Sequence, residues 1–108
     1  MAAALGQVDL SLEYWRKAVA VNPRNAAYRQ GLAFRLARRG DWPAARTEAE
    51  QAVRLDPARA GARTILAIAS ARAGDTAAGE AMFRTVEFLG PPNLSDLRMW
   101  YSDERSHR

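Results

Sequence analysis

Between Ala26 and Arg39 the apolar positions fall at Leu32, Leu36 and their small neighbours, and between Trp42 and Leu55 they fall at Ala45, Ala49 and Ala52. Both runs have the spacing of one helix face. The pattern predicts a helix over 26–39 and a second over 42–55. A further run with Leu10, Leu12, Tyr14, Trp15 and Val19 predicts a helix before them, and Leu94, Leu97, Trp100 and Tyr101 predict one near the C-terminus. The pattern therefore predicts an all-α chain.

The punctuation between these runs repeats. Glycine recurs at 6, 40 and 74 and proline at 23, 57 and 91, a common period of 34 residues. Gly40-Asp41 matches Gly74-Asp75, with Gly6-Gln7 a looser copy. Val21-Asn22-Pro23, Leu55-Asp56-Pro57 and Leu89-Gly90-Pro91 correspond likewise. Glycine is suited to the left-handed residue that ends a helix, and the aspartate after it is an N-cap for the next. Pro43 falls in a first turn, where its missing donor is not needed. The residue before each of the repeating prolines is pushed out of the helical region, which stops the helix there. A fixed period of this size signals stacked hairpins, none of which can bury its apolar face alone.

Small residues keep the register too: Ala33 with Ala67, Ser11 with Ala45 and Gly79, and Ala18 with Ala52 and Val86. With the 34-residue period, they resemble the tetratricopeptide repeat, whose unit carries a Trp, a Leu-Gly pair, a Tyr, an Ala, a Phe and a closing Pro. The Leu-Gly pair stands here as Leu32-Ala33 and Leu66-Ala67. The Ala with its aromatic stands as Ser11 with Trp15, Ala45 with Ala49, and Gly79 with Phe83. Arg29 and Arg63 stand at the Trp site, and Leu36 and Ser70 at the Tyr site, which weakens the consensus packing but not the period. The resemblance covers residues 6 to 91. It implies an elongated, right-handed α-solenoid of antiparallel hairpins: a half repeat over 6–23, full repeats over 24–57 and 58–91, and a capping helix with a polar tail over 92–108. Gly6 takes the place of the turn inside the first unit, so the helix after it starts the stack without a hairpin partner. That points first to a chain that is the tail of a longer protein, with self-association through this helix as the alternative.

In the resembled family the first helix of each pair lines a concave face. This implies a groove for a partner peptide or helix formed by Gln30, Phe34 and Arg38, with Thr64, Ile68 and Arg72 as the matching stripe. Phe34 and Ile68 would be its apolar centre and Arg38 and Arg72 its basic edge, suited to a partner with acidic flanks. Burial of Phe34 and Ile68 by neighbouring helices is the competing expectation. The Lys and Asn with which some members clamp a chaperone's terminal carboxylate are missing. Trp100 and Tyr101 are read as closing the core, with an aromatic anchor for a partner as the sharper account, and 102–108 as fraying into solvent.

Composition changes the picture little. No stretch approaches the roughly 20 apolar residues of a membrane span, and the first residues, Met-Ala-Ala-Ala-Leu-Gly, lack the basic segment of a signal peptide. A soluble and slightly by preference cytoplasmic module is expected. The absence of cysteine excludes disulfides and thiolate metal sites. His107 is the only histidine and lies in the polar tail, and Glu48 and Glu50 differ by two places and so face apart on a helix. No phosphate loop or metal-ligand spacing occurs. The expectation is a non-catalytic module with no cofactor, no metal and no small-molecule substrate. The rival is an accessory tail of a larger bacterial enzyme or multidomain protein. The formal charge of +4 and pI near 10.3 raise RNA binding. Arg35, Arg38 and Arg39 cluster at one helix end, but Asp41, Glu48 and Glu50 follow, and no aromatic and basic residues interleave into a stacking platform. Fifteen of the sixteen basic residues are arginine in an alanine-rich chain, which points to genomic base composition before nucleic-acid affinity.

Overall fold

The protein is described by a computed structural model over residues 2–106, with side chains from 11 to 105. Among these residues there are six helices and no strand: α1 Ala2–Val21, α2 Ala26–Arg38, α3 Trp42–Leu55, α4 Ala60–Arg72, α5 Thr76–Leu89 and α6 Leu94–Ser106.

The expected punctuation forms the corners. Gly40 and Gly74 have φ of 89° and 102°, a conformation an L side chain adopts only at a cost. The N–H of Asp41 donates to Leu36 O at 2.9 Å, and that of Asp75 to Ser70 O at 2.9 Å. The two carboxylates accept from Ala44 N and Ala78 N and so cap α3 and α5. Pro43 lies in the first turn of α3, and Asp56, before Pro57, is extended with φ −146° and ψ 98°. Arg29 and Arg63, the residues that depart from the consensus, make one and the same bond. Their Nε donate to Pro23 O at 3.0 Å and to Pro57 O at 2.6 Å, each tying a helix to the turn before it. Thus the hydrogen bonds themselves repeat at the spacing of the glycines and prolines.

α2 packs most extensively on α3, and α4 on α5, followed by α3 on α4, α1 on α2, α4 on α6 and α2 on α4. α4 is the centre. Ala62, Thr64, Ile65, Ala67, Ile68, Ala69 and Ser70 are all buried along it, on every side of the helix. That agrees with its sequence, in which no charged residue occurs from Thr64 to Ala71. The small residues permit close crossings: Ala33, Ala45, Ala49, Ala52 and Ala67 are completely buried.

Three expectations are corrected. α1 is continuous through Gly6, so no turn forms there; Gln7 stands where Gly40 and Gly74 are followed by a capping aspartate. The segment 102–106 does not fray but continues α6. Arg105 reaches Glu80 at 3.2 Å, and Glu104 lies 3.8 Å from Arg72. His107 and Arg108 lie outside the described residues. Finally, the protein is compact instead of elongated, at 34 × 32 × 24 Å with a radius of gyration of 13.5 Å. The value for a globule of this length is about 13 Å. A stack of so few helix layers, each about 10 Å thick, is no longer than its helices are, and α6 folds back onto it.

Candidate functional site

The face shared by α2 and α4 carries all six residues of the expected groove, but it is not open. α6 lies against it. The Trp100 ring meets Phe34 edge-on at 5.5 Å between centroids and lies 6.4 Å from Trp42. Leu97 and Tyr101 are buried, and Tyr101 stacks parallel on Phe83 at 4.6 Å. Thr64 and Ile68 are fully buried, and Thr64 Oγ1 donates to Ala60 O at 2.9 Å. They are core residues, not groove lining. Phe34 is half-buried under Trp100. Arg72 stacks over Trp42 at 5.3 Å, and its Nη1 donates to Glu104 O at 3.1 Å. Gln30 is committed within the fold, its Oε1 accepting from Ala62 N at 3.1 Å across the α2–α4 crossing. Arg38 alone of the six is an exposed cation, 5.9 Å from the Phe34 ring centre. The expected apolar centre of Phe34 and Ile68 is thus replaced by an intramolecular contact. α4 has neighbours on all sides, α6 among them.

An opening remains toward the start of that face. A cleft of about 360 Å³ lies between α1, α2, α4 and α6. The rings of Trp15, Phe34 and Trp100 line it together with Ile65 and Leu97, and Arg35 and Arg59 supply its charge. Trp15 owes its place to a glycine. A Cβ on Gly31 would lie 2.5 Å from Trp15 Cζ3, so only glycine lets the indole sit on the α2 backbone. Trp15 also meets Tyr28 edge-on at 6.2 Å.

The two arginines differ. Arg59 Nε is 3.3 Å from an Asp56 carboxylate oxygen. Arg35 has no ion pair with any described residue, and the Nε of both arginines is buried without a hydrogen-bond acceptor. Spacing groups Arg35 with Arg38 and Arg39, whereas the structure turns Arg35 into the cleft and leaves the other two exposed. Position 59 corresponds to Asn25, which caps α2 by accepting from Tyr28 N at 3.0 Å. Arg59 makes no side-chain cap, so α4 begins beside the cleft with no acceptor from that position.

Trp15, Arg35, Arg59 and Trp100 are therefore cleft residues absent from the expected groove. A signal for Trp15 was present, because a glycine inside a helix marks a close approach. The arrangement can hold an apolar group and attract an anion. Among the described residues no three His, Asp or Glu side chains are grouped as metal ligands, and no helix is long and apolar enough to cross a membrane. No protein-family model and no curated protein matches the chain.

Proposed function

We propose that the chain is a tetratricopeptide-like array, with units over 24–57 and 58–91, that serves as a protein-interaction module and performs no chemistry of its own. Its period, its right-handed hairpin stacking and its role all belong to this reading. Support comes from the Pro–Arg and Gly–Asp corner bonds recurring at 34-residue spacing. The site assigned to the partner is the cleft bounded by Trp15, Phe34 and Trp100, not the whole face of α2 and α4, much of which α6 already covers. The observation that carries this is the cleft itself: its volume lies within the range of about 300–1,000 Å³ in which ligand sites fall, and its lining combines apolar rings with a few polar groups.

Titration of the isotopically labelled chain with peptides selected from a displayed random library tests it. Amide and indole resonances of Trp15, Phe34 and Trp100 should shift together as peptide is added. Peptides that shift only residues on α3 or α5, or a library that returns no binder, would refute the assignment.

A further inference from the structure

We infer that the cleft selects a peptide segment in which a large apolar side chain stands beside a carboxylate. This rests on the peptide-binding reading above and adds to it the chemistry of the ligand.

The apolar part follows from the lining. Trp15, Phe34 and Trp100 present rings around one opening, with Ile65 and Leu97 behind them. A volume of about 360 Å³ admits one large side chain with its backbone. Flat apolar walls of this kind gain most from an aromatic or a leucine.

The carboxylate follows from charge. Arg35 and Arg59 are the charged residues of the lining, and no Asp or Glu is among them. Arg59 has part of its charge answered by Asp56 at 3.3 Å. Arg35 does not: it has the adjoining Phe34 ring at 5.5 Å but no ion pair, and its Nε, like that of Arg59, is out of solvent with no hydrogen-bond acceptor. A desolvated guanidinium N–H without an acceptor is costly. A carboxylate relieves that cost best, because its two oxygens match the guanidinium fork. The start of α4 acts in the same direction. Arg59 occupies its cap position and offers no acceptor; Gln30 Oε1 takes that place at Ala62 N, and the helix end still carries partial positive charge toward the cleft. Three positive contributions thus converge on one aromatic-lined opening, and an amide or hydroxyl ligand answers none of them as well.

The test starts from eight-residue peptides selected on the full chain from a random displayed library. Each selected peptide is resynthesised with Asn and Gln in place of every Asp and Glu, and both forms are titrated against the chain and against Arg35→Met. The enriched peptides should carry an aromatic or leucine within two positions of an acidic residue. Neutral replacement should weaken binding about tenfold or more, the scale of a charge-assisted hydrogen bond. Arg35→Met should produce the same loss for the acidic peptide and no further loss for its neutral form. The replacement made in the peptide keeps the test valid even if Arg35→Met perturbs the fold. Peptides that shift Trp15 and Trp100 yet are indifferent to both changes would overturn the carboxylate while leaving the peptide-binding reading intact. A library with no binder at the cleft would overturn both.

Discussion

Gly79 lies inside α5, and on helix propensity alone its replacement by alanine should stabilise the protein by about 1 kcal/mol. The structure reverses the sign. A Cβ at position 79 would lie 2.8 Å from the carbonyl oxygen of Ala67, 3.2 Å from Ala71 Cβ and 3.2 Å from Tyr101 Oη. The nearest atom is main chain in the middle of α4, the most enclosed helix, and cannot rotate away. α5 must therefore move off α4 by several tenths of an ångström along a crossing that buries Phe83 and Val86. Overpacking of this kind costs about 1–3 kcal/mol, so after the propensity gain Gly79→Ala should lose about 1 kcal/mol. Its Tm, followed by far-ultraviolet circular dichroism, should fall by about 4–8 °C, and its urea midpoint should drop with an unchanged slope. The corresponding position in the preceding unit is Ala45, which is fully buried and already accommodated. Ala45→Gly should also destabilise, by propensity and a lost methyl group. A Gly79→Ala protein as stable as the parent, or more so, would show that α4 and α5 are not in this contact.

The other predictions concern how α6 and the corners are held. Tyr101 Oη is buried with no partner among the described residues, so Tyr101→Phe should keep or raise stability by about 1 kcal/mol in the same melts. Trp100→Ala removes the contacts to Phe34 and Trp42. It should cost about 2 kcal/mol, less than full removal of a buried aromatic because Trp100 is only half-buried, and hydrogen exchange should show α6 amides losing protection first. By contrast, the pairs of Arg98 with Glu87 and Arg105 with Glu80 are 40–55% exposed along their side chains. Raising salt from 50 mM to 0.5 M should therefore leave α6 protection nearly unchanged, and strong loss of protection would show that charge and not aromatic packing docks it. Arg29→Ala removes both the bond to Pro23 O and the 2.8 Å pair with Glu48, whose side chains are only 20% exposed. A loss of about 1–2 kcal/mol is expected in urea unfolding, and Glu48→Gln in the same background should recover part of it by relieving the unpaired acid.

The helices and their limits were legible because their signals are local. Gly40, Gly74, Asp41, Asp75 and the residues before the prolines act through their own φ and ψ or through a bond three residues away. What an interior glycine such as Gly31 or Gly79 accommodates depends on a residue brought in from a different helix, Trp15 or Tyr101, so spacing hints at a close approach without naming the partner. Gly6 misled because it shares the period while lacking the Asp that follows the glycine at the other corners. The groove stripe failed for a related reason. Periodicity gives the angle of Thr64 and Ile68 around α4 but not the number of helices surrounding it. The uncharged run from Thr64 to Ala71 did carry that information. The return of α6 rests on Trp100 fitting over Phe34, a contact 66 positions apart in the chain (100 minus 34) that no local pattern encodes.

The corner bonds have a consequence for engineering. Because each Pro–Arg and Gly–Asp joint closes with the same donors and acceptors, the junction after Pro57 is a natural splice point, and a tandem duplicate of 24–57 inserted there should find compatible joints on both sides. The duplicate would carry its own copy of Phe34, placed to meet Trp100 in lieu of the original. The parent Phe34 would then be released from beneath the indole, giving a lengthened protein that displays one more aromatic landing site than its ancestor.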